Sequence, residues 1–182
     1  HNALSIAAEA LTASRLAPLQ NIASNLEENM VLLGVPHAKV KVDMQPTAEF
    51  TETGKDNIQF VVAANLNQSL RRVAEVASGG ETSRLMLCIK ALIASSRALP
   101  TIIFDEIDTG VSGTIASQMG KIMRQMAENR QIIAITHLPQ VAAKGNQHYL
   151  VYKEDTHLRT ETHIRLLSEE EHITEIEKMR TI

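Results

Sequence analysis

Three phenylalanines, two tyrosines and no tryptophan supply all the aromatic side chains of this 182-residue chain. That is too few to build the stacking platforms on which single-stranded nucleic acid is bound. Charge of one sign is equally scarce: the net charge is −3, and Arg71-Arg72 is the only adjacent pair of basic residues. A surface that neutralises a phosphate backbone needs clustered Lys and Arg, so the sequence displays no footprint for direct duplex binding. The single cysteine, Cys88, rules out an intramolecular disulfide and suggests a reducing compartment. It lies inside the apolar run Leu85-Met86-Leu87-Cys88-Ile89, the setting of a buried structural thiol rather than a nucleophile. No apolar run approaches the ~18 residues needed to span a bilayer, and no signal-peptide pattern opens the chain. A P-loop is also missing. The nearest candidate, Gly54-Lys55, is followed by Asp56 instead of Ser or Thr, and Glu49 stands where the first glycine belongs.

What is present is an ordinary globular balance of 44 % hydrophobic and 21 % charged residues, enough for one good core. The chain starts at His1 with helical periodicity at once, which reads as a piece of a longer protein. Leu19, Ile22, Leu26, Met30 and Leu33 recur at spacings of three and four and mark one stripe of a helix. Pro18 is expected to kink or divide it, and Gly34 followed by Pro36 to stop it. The stripe fits an amphipathic surface helix or the tail of a coiled coil, being too short to establish heptads. Lys39 to Met44 alternates as a half-buried strand does, and Ile58 to Ala64 reads as its antiparallel partner across a long polar loop.

Beyond residue 78 strands and helices alternate. A glycine turn opens a helix over about 82–97; an apolar strand covers Thr101 to Phe104, and a helix about 114–128. A second apolar strand covers Ile132 to Ile135, with a short helix after Pro139. Such alternation predicts an α/β arrangement, mainly a parallel sheet with flanking helices. Tyr149 to Tyr152 and Thr160 to Leu166 read as two more strands. Ser168 and Glu171 have the spacing of a capping box for a last charged helix.

Three places carry chemistry. Ser78-Gly79-Gly80-Glu81 stands at a helix start, where unpaired backbone N–H groups and the helix dipole favour phosphate. Read alone, it is equally a flexible lead-in to a cap. Asp105-Glu106 ends a buried strand, which puts two carboxylates at the sheet edge where α/β folds bind ligands. Asp105 suits a water-mediated Mg²⁺ contact and Glu106 the orientation or deprotonation of an attacking water. By itself the pair is also how many strands end. His137 follows the strand Gln131 to Thr136 and is expected on the same edge, where an imidazole can donate to a phosphate oxygen. Most lone histidines do nothing of the kind. Their order and spacing strengthen all three: 27 residues separate Ser78 from Asp105 and 32 separate Asp105 from His137, each room for one helix and its return.

Taken together, Val76 to Arg84 resembles the signature motif of SMC-like ABC ATPases, and Ile102 to Glu106 resembles their Walker B strand. Asp108 to Gly113 is similar to the D-loop, and His137 to the switch histidine. The runs Phe104 to Gly113 and Thr136 to Ala142 look more narrowly like the branch of that family found in bacterial DNA double-strand break repair. Ala77 stands where the usual pattern has leucine, and Ser112 where many relatives carry the D-loop aspartate; both departures fit that branch better than a transporter.

The resemblance implies the C-terminal lobe of a P-loop NTPase head, residues 35–182, with helix 1–34 as the end of a coiled-coil arm. It implies ATP and Mg²⁺ as cofactors: Asp105 at the metal, Glu106 and His137 in catalysis, and Ser78, Gly79, Gly80, Glu81 and Asp108 at the nucleotide. It implies as partners a second copy of the head, completing the site in trans, an N-terminal head part carrying Walker A, and DNA through the full-length protein. The location implied is cytoplasmic and nucleoid-associated. Without a P-loop the chain alone is expected to bind ATP negligibly. The alternative reading is a non-catalytic SMC-like module for dimerisation or partner docking.

Overall fold

The computed structural model describes residues 2–75, 79–96, 99–105, 107–108, 110–111, 113–155 and 159–181. Two compact units divide the chain, residues 1–93 and 94–182.

In the first unit a single helix, α1 (Asn2–Leu32), carries Pro18 inside it. Of the kink or division expected at Pro18, the division does not occur. A proline costs a helix one hydrogen bond and crowds one turn, and the packing of Ala23, Leu26 and Met30 in the core holds the helix together C-terminal to it. The predicted stripe is real in that half: Leu26 and Leu33 are fully buried and Met30 is 1 % exposed. In the N-terminal half Leu4, Ile6 and Leu16 stand exposed. Gly34 adopts φ +78°, the left-handed conformation that ends helices.

Helix α1 packs on a hairpin of β1 (Lys39–Thr51) and β2 (Gly54–Ala63), with the short β3 (Arg71–Arg72) paired to β2. The long polar loop expected between the strands is instead a two-residue connection, Glu52-Thr53, because Thr51 pairs with Gly54. Residues 45–57 therefore lie largely within the two strands, with an irregular register between Pro46 and Thr51. Gly54 at φ +102° makes the tight return possible. Asp56 locks hairpin to helix, accepting from Thr12 Oγ1 at 2.7 Å and Arg15 Nη1 at 2.8 Å, while Arg15 Nη2 donates to the Thr53 carbonyl.

Helix α2 (Gly79–Ser96) starts three residues earlier than the periodicity indicated, so Gly79 and Gly80 form its first turn. Leu85, Leu87 and Cys88 are buried on it.

In the second unit β4 (Thr101–Asp105) and β5 (Gln131–Ile135) form a parallel pair. Between them runs α3 (Gly113–Met126), burying Ala116, Met119, Met123 and Met126. Gly120 gives α3 a close approach to α4 (Pro139–Ala142): a Cβ there would meet the Gln140 carbonyl at 3.0 Å. Strands β6 (Tyr149–Asp155) and β7 (Thr160–Leu166) form an antiparallel hairpin, and α5 (Glu169–Met179) carries the predicted capping box between Ser168 and Glu171. Among the described residues the parallel order expected of the sheet is thus confined to β4–β5, the other two sheets being antiparallel.

Candidate functional site

Strand β4 alternates in burial. Ile102 and Phe104 face the core, Phe104 completely, while Thr101, Ile103 and Asp105 face outward. Its apolar run makes it a buried strand, and its last residue is the carboxylate Asp105. In the parallel register Asp105 is level with Ile135, the last residue of β5, and His137 follows two positions later. Asp105 and His137 therefore leave the sheet at the same carboxyl-terminal edge, as their positions after apolar strands indicated.

The backbone around His137 is fixed by a neighbour 28 or 29 residues away. Asp108 is 2 % exposed, the only charged residue among the described ones that is buried as a whole, backbone and side chain together. Its Oδ2 accepts from Thr136 Oγ1 at 2.5 Å and from the His137 backbone N–H at 3.0 Å. The same oxygen lies 3.3 Å from His137 Nδ1. Thr136 Oγ1 also accepts from the Leu138 backbone N–H at 3.0 Å. Leu138 then precedes α4 without a side-chain cap, Pro139 occupying the first helical turn. Two polar side chains thus set the course of the chain from β5 into α4. The His137 ring remains outside that clamp, with its side chain 73 % exposed. A buried carboxylate, a hydroxyl and an exposed imidazole form a polar device that holds one histidine facing solvent.

Of the residues expected at the site, Ser78 and Glu106 lie outside the described residues, as does Ser112. Gly79, Gly80 and Glu81 form the first turn of α2 and belong to the first unit. Asp105, Asp108 and His137 belong to the second. Asp108 points inward, onto Thr136 and His137. Thr136 was missed by sequence reasoning: a threonine at a strand end carries no signal of its own, although its place directly before His137 marks it.

One exposed carboxylate at a strand end suits Mg²⁺, which keeps most of its water and takes one or two protein carboxylates plus phosphate oxygens. Among the described residues no group of three or more His, Cys, Asp or Glu side chains is placed to cage an ion. His163 stacks on Tyr152 and lies 3.7 Å from both Glu154 and Glu161, a surface arrangement on the β6–β7 hairpin. Burial pushes the Cys88 thiol up to about 12, which makes it unreactive. No helix of the described residues is long and apolar enough to cross a membrane.

No protein-family model matches the chain. DNA repair protein RecN of Haemophilus influenzae is 38 % identical over 173 residues, which cover 94 % of this chain and 31 % of that protein. The chain thus spans about a third of the length of the curated relatives it matches, aligning with their C-terminal part. Among solved structures, an Smc head domain with a coiled coil and joint from Pyrococcus yayanosii superposes with a TM-score of 0.67 at 19 % identity. That match covers 91 % of this chain and 30 % of the other. A second structure, from work on ATP-driven dimerisation and DNA-stimulated activation of SMC ATPases, gives a TM-score of 0.58 at 16 % identity, covering 92 % and 96 %. At these identities the likeness is one of fold: the chain has the fold of an SMC head.

Proposed function

Because the chain belongs to the RecN family of DNA repair proteins, we propose that it supplies the C-terminal part of an ATPase head that binds and hydrolyses ATP across a pair of heads. Asp105 holds Mg²⁺ through water. Glu106 is the base for the attacking water, and His137 contacts the terminal phosphate. The turn Ser78-Gly79-Gly80-Glu81 closes over the nucleotide of a second copy, with backbone N–H groups donating to phosphate from a helix start. DNA is engaged through the full-length protein, and helix 1–34 is the end of its coiled-coil arm.

The observation that carries this reading is the shared edge: a strand-terminal carboxylate and a clamped, exposed imidazole emerge side by side from one parallel pair. Support for an additional head part with a P-loop comes from the outward face of that pair. Ile103, Ile133 and Ile135 are 55 %, 42 % and 57 % exposed there, apolar area that a packed neighbour would cover. When bound, Mg-ATP supplies the phosphoanhydride and the charge that Mg²⁺ neutralises. The protein's contribution is to place donors and a base around it.

The test uses the full-length protein with Glu106→Gln. ATP should still bind and heads should pair, while turnover collapses. Unchanged turnover removes Glu106 as the base. Ser78→Arg in the same protein should abolish ATP-dependent pairing; a loss of partner docking alone, with turnover intact, would instead favour a non-catalytic module.

A further inference from the structure

We infer that Asp108 is a positioning residue, a strut between two strand exits that sets where His137 stands relative to Asp105, an inference that rests on the proposed roles of those two residues at the nucleotide. The β4–β5 ladder reaches only to the pair Asp105–Ile135. Asp108 lies three positions beyond the first strand end, and Thr136 and His137 lie one and two beyond the second. A ladder frays at its end unless something ties the departing chains together. Here one carboxylate oxygen of Asp108 accepts from both the Thr136 hydroxyl and the His137 backbone N–H.

The surroundings make this tie firm. Asp108 is buried, as are Ile107 and Val111 on its own exit and Leu138 on the other. Hydrogen bonds to a carboxylate are roughly twice as strong as those between neutral groups, and burial keeps water from competing for them. The Asp108 carbonyl also accepts from the Val111 N–H at 3.2 Å, closing the turn 108–111 with Gly110 at φ +68°. One residue therefore shapes the loop after β4 and anchors it to the exit of β5. The D-loop resemblance implied Asp108 at the nucleotide. With its carboxylate turned to Thr136 and His137, it acts there through His137, whose main chain it grips and whose side chain stays exposed.

Hydrogen exchange and steady-state kinetics on the full-length protein test the strut. In Asp108→Ala the amides of His137 and Leu138 should lose roughly 10–100-fold in protection, as loss of hydrogen bonds to a charged group does. Its kcat should fall by up to roughly 100-fold, the cost of a misplaced group, with KM for ATP changed less than about twofold because ground-state binding is spared. Asp108→Asn keeps a weaker, neutral acceptor and should lose about fivefold in protection of the His137 amide, so it carries the test if the alanine variant fails to fold. A double-mutant cycle separates positioning from plain stability. In a His137→Gln background either substitution should lower kcat by less than about a further twofold, because Asp108 acts through His137. Losses that multiply overturn the assignment, and so does wild-type protection of the His137 amide in either variant. Normal turnover in His137→Gln alone would remove His137 from the chemistry, and with it the catalytic consequence of the strut, while the exchange result would still decide the tie itself. The two failures are therefore separable.

Discussion

Replacing Thr136 with valine tests whether two hydrogen bonds through one hydroxyl hold the exit from β5. Valine keeps the β-branched shape and removes only the oxygen. Lost with it are the 2.5 Å bond to the Asp108 carboxylate and the 3.0 Å bond received from the Leu138 N–H. A hydrogen bond to a charged group contributes about 1.5–3 kcal/mol, and the amide left behind recovers part of its loss from water because the site is only part-buried. The local cost is therefore about 2 kcal/mol, which corresponds to roughly a 30-fold change in an opening equilibrium. Native-state hydrogen exchange is the appropriate assay, since the chain has two compact units and a single global unfolding transition is not assured. The amides of His137 and Leu138 should lose about 30-fold in protection, while amides of the β1–β2 hairpin stay at their wild-type rates. His137→Ala, which removes an exposed ring, should leave protection of its own amide within about twofold. If Thr136→Val left both amides as protected as before, the clamp would not be what orders this segment, and the case for a positioned His137 would fail with it.

Three further outcomes are expected. Leu26→Ala should destabilise by about 3 kcal/mol because the side chain is fully buried, whereas Leu16→Ala, at 55 % exposure, should change little; equal effects in urea denaturation would contradict the packed face of α1. Gly54→Ala should cost about 1–3 kcal/mol, since φ is +102° and the new Cβ would come within 2.9 Å of Leu11 Cδ2; a thermal melt at the wild-type midpoint would show that the turn relaxes freely. The hydrogen bond from Thr12 and the Arg15 guanidinium together hold the Asp56 carboxyl below its usual range. A carboxyl lowered in the folded state stabilises above its unfolded value of about 4, and that contribution is lost as pH falls through the folded value. Asp56→Asn should therefore be less stable than wild type at neutral pH and converge with it in acid; a gap that persists at low pH would mean that the carboxylate's charge is not what matters.

How much of this was readable in advance varied with the kind of information a residue carries. The half-stripe of Leu26, Met30 and Leu33, the strands ending at Asp105 and Ile135 and the Ser168–Glu171 cap all lie within a few residues of their signals, and the structure has each of them. Of the two outcomes read for Pro18, a kink or a division, the division is absent: a breaker has a fixed local cost, and packing on one side of it can outweigh that cost. The β1–β2 connection was misjudged for a related reason. Polar residues normally mark a loop, but an antiparallel ladder accepts them on an exposed face.

The sequence by itself determined which face of each helix is apolar, where the apolar strands end, and the order of glycine turn, acid and imidazole along the chain, because periodicity and punctuation are local properties of the polymer. Tertiary structure alone decided which atoms meet. Arg15 reaches Asp56 across 41 residues and Thr136 reaches Asp108 across 28. No spacing rule names such partners, since a buried polar side chain takes whatever donor the fold brings to it.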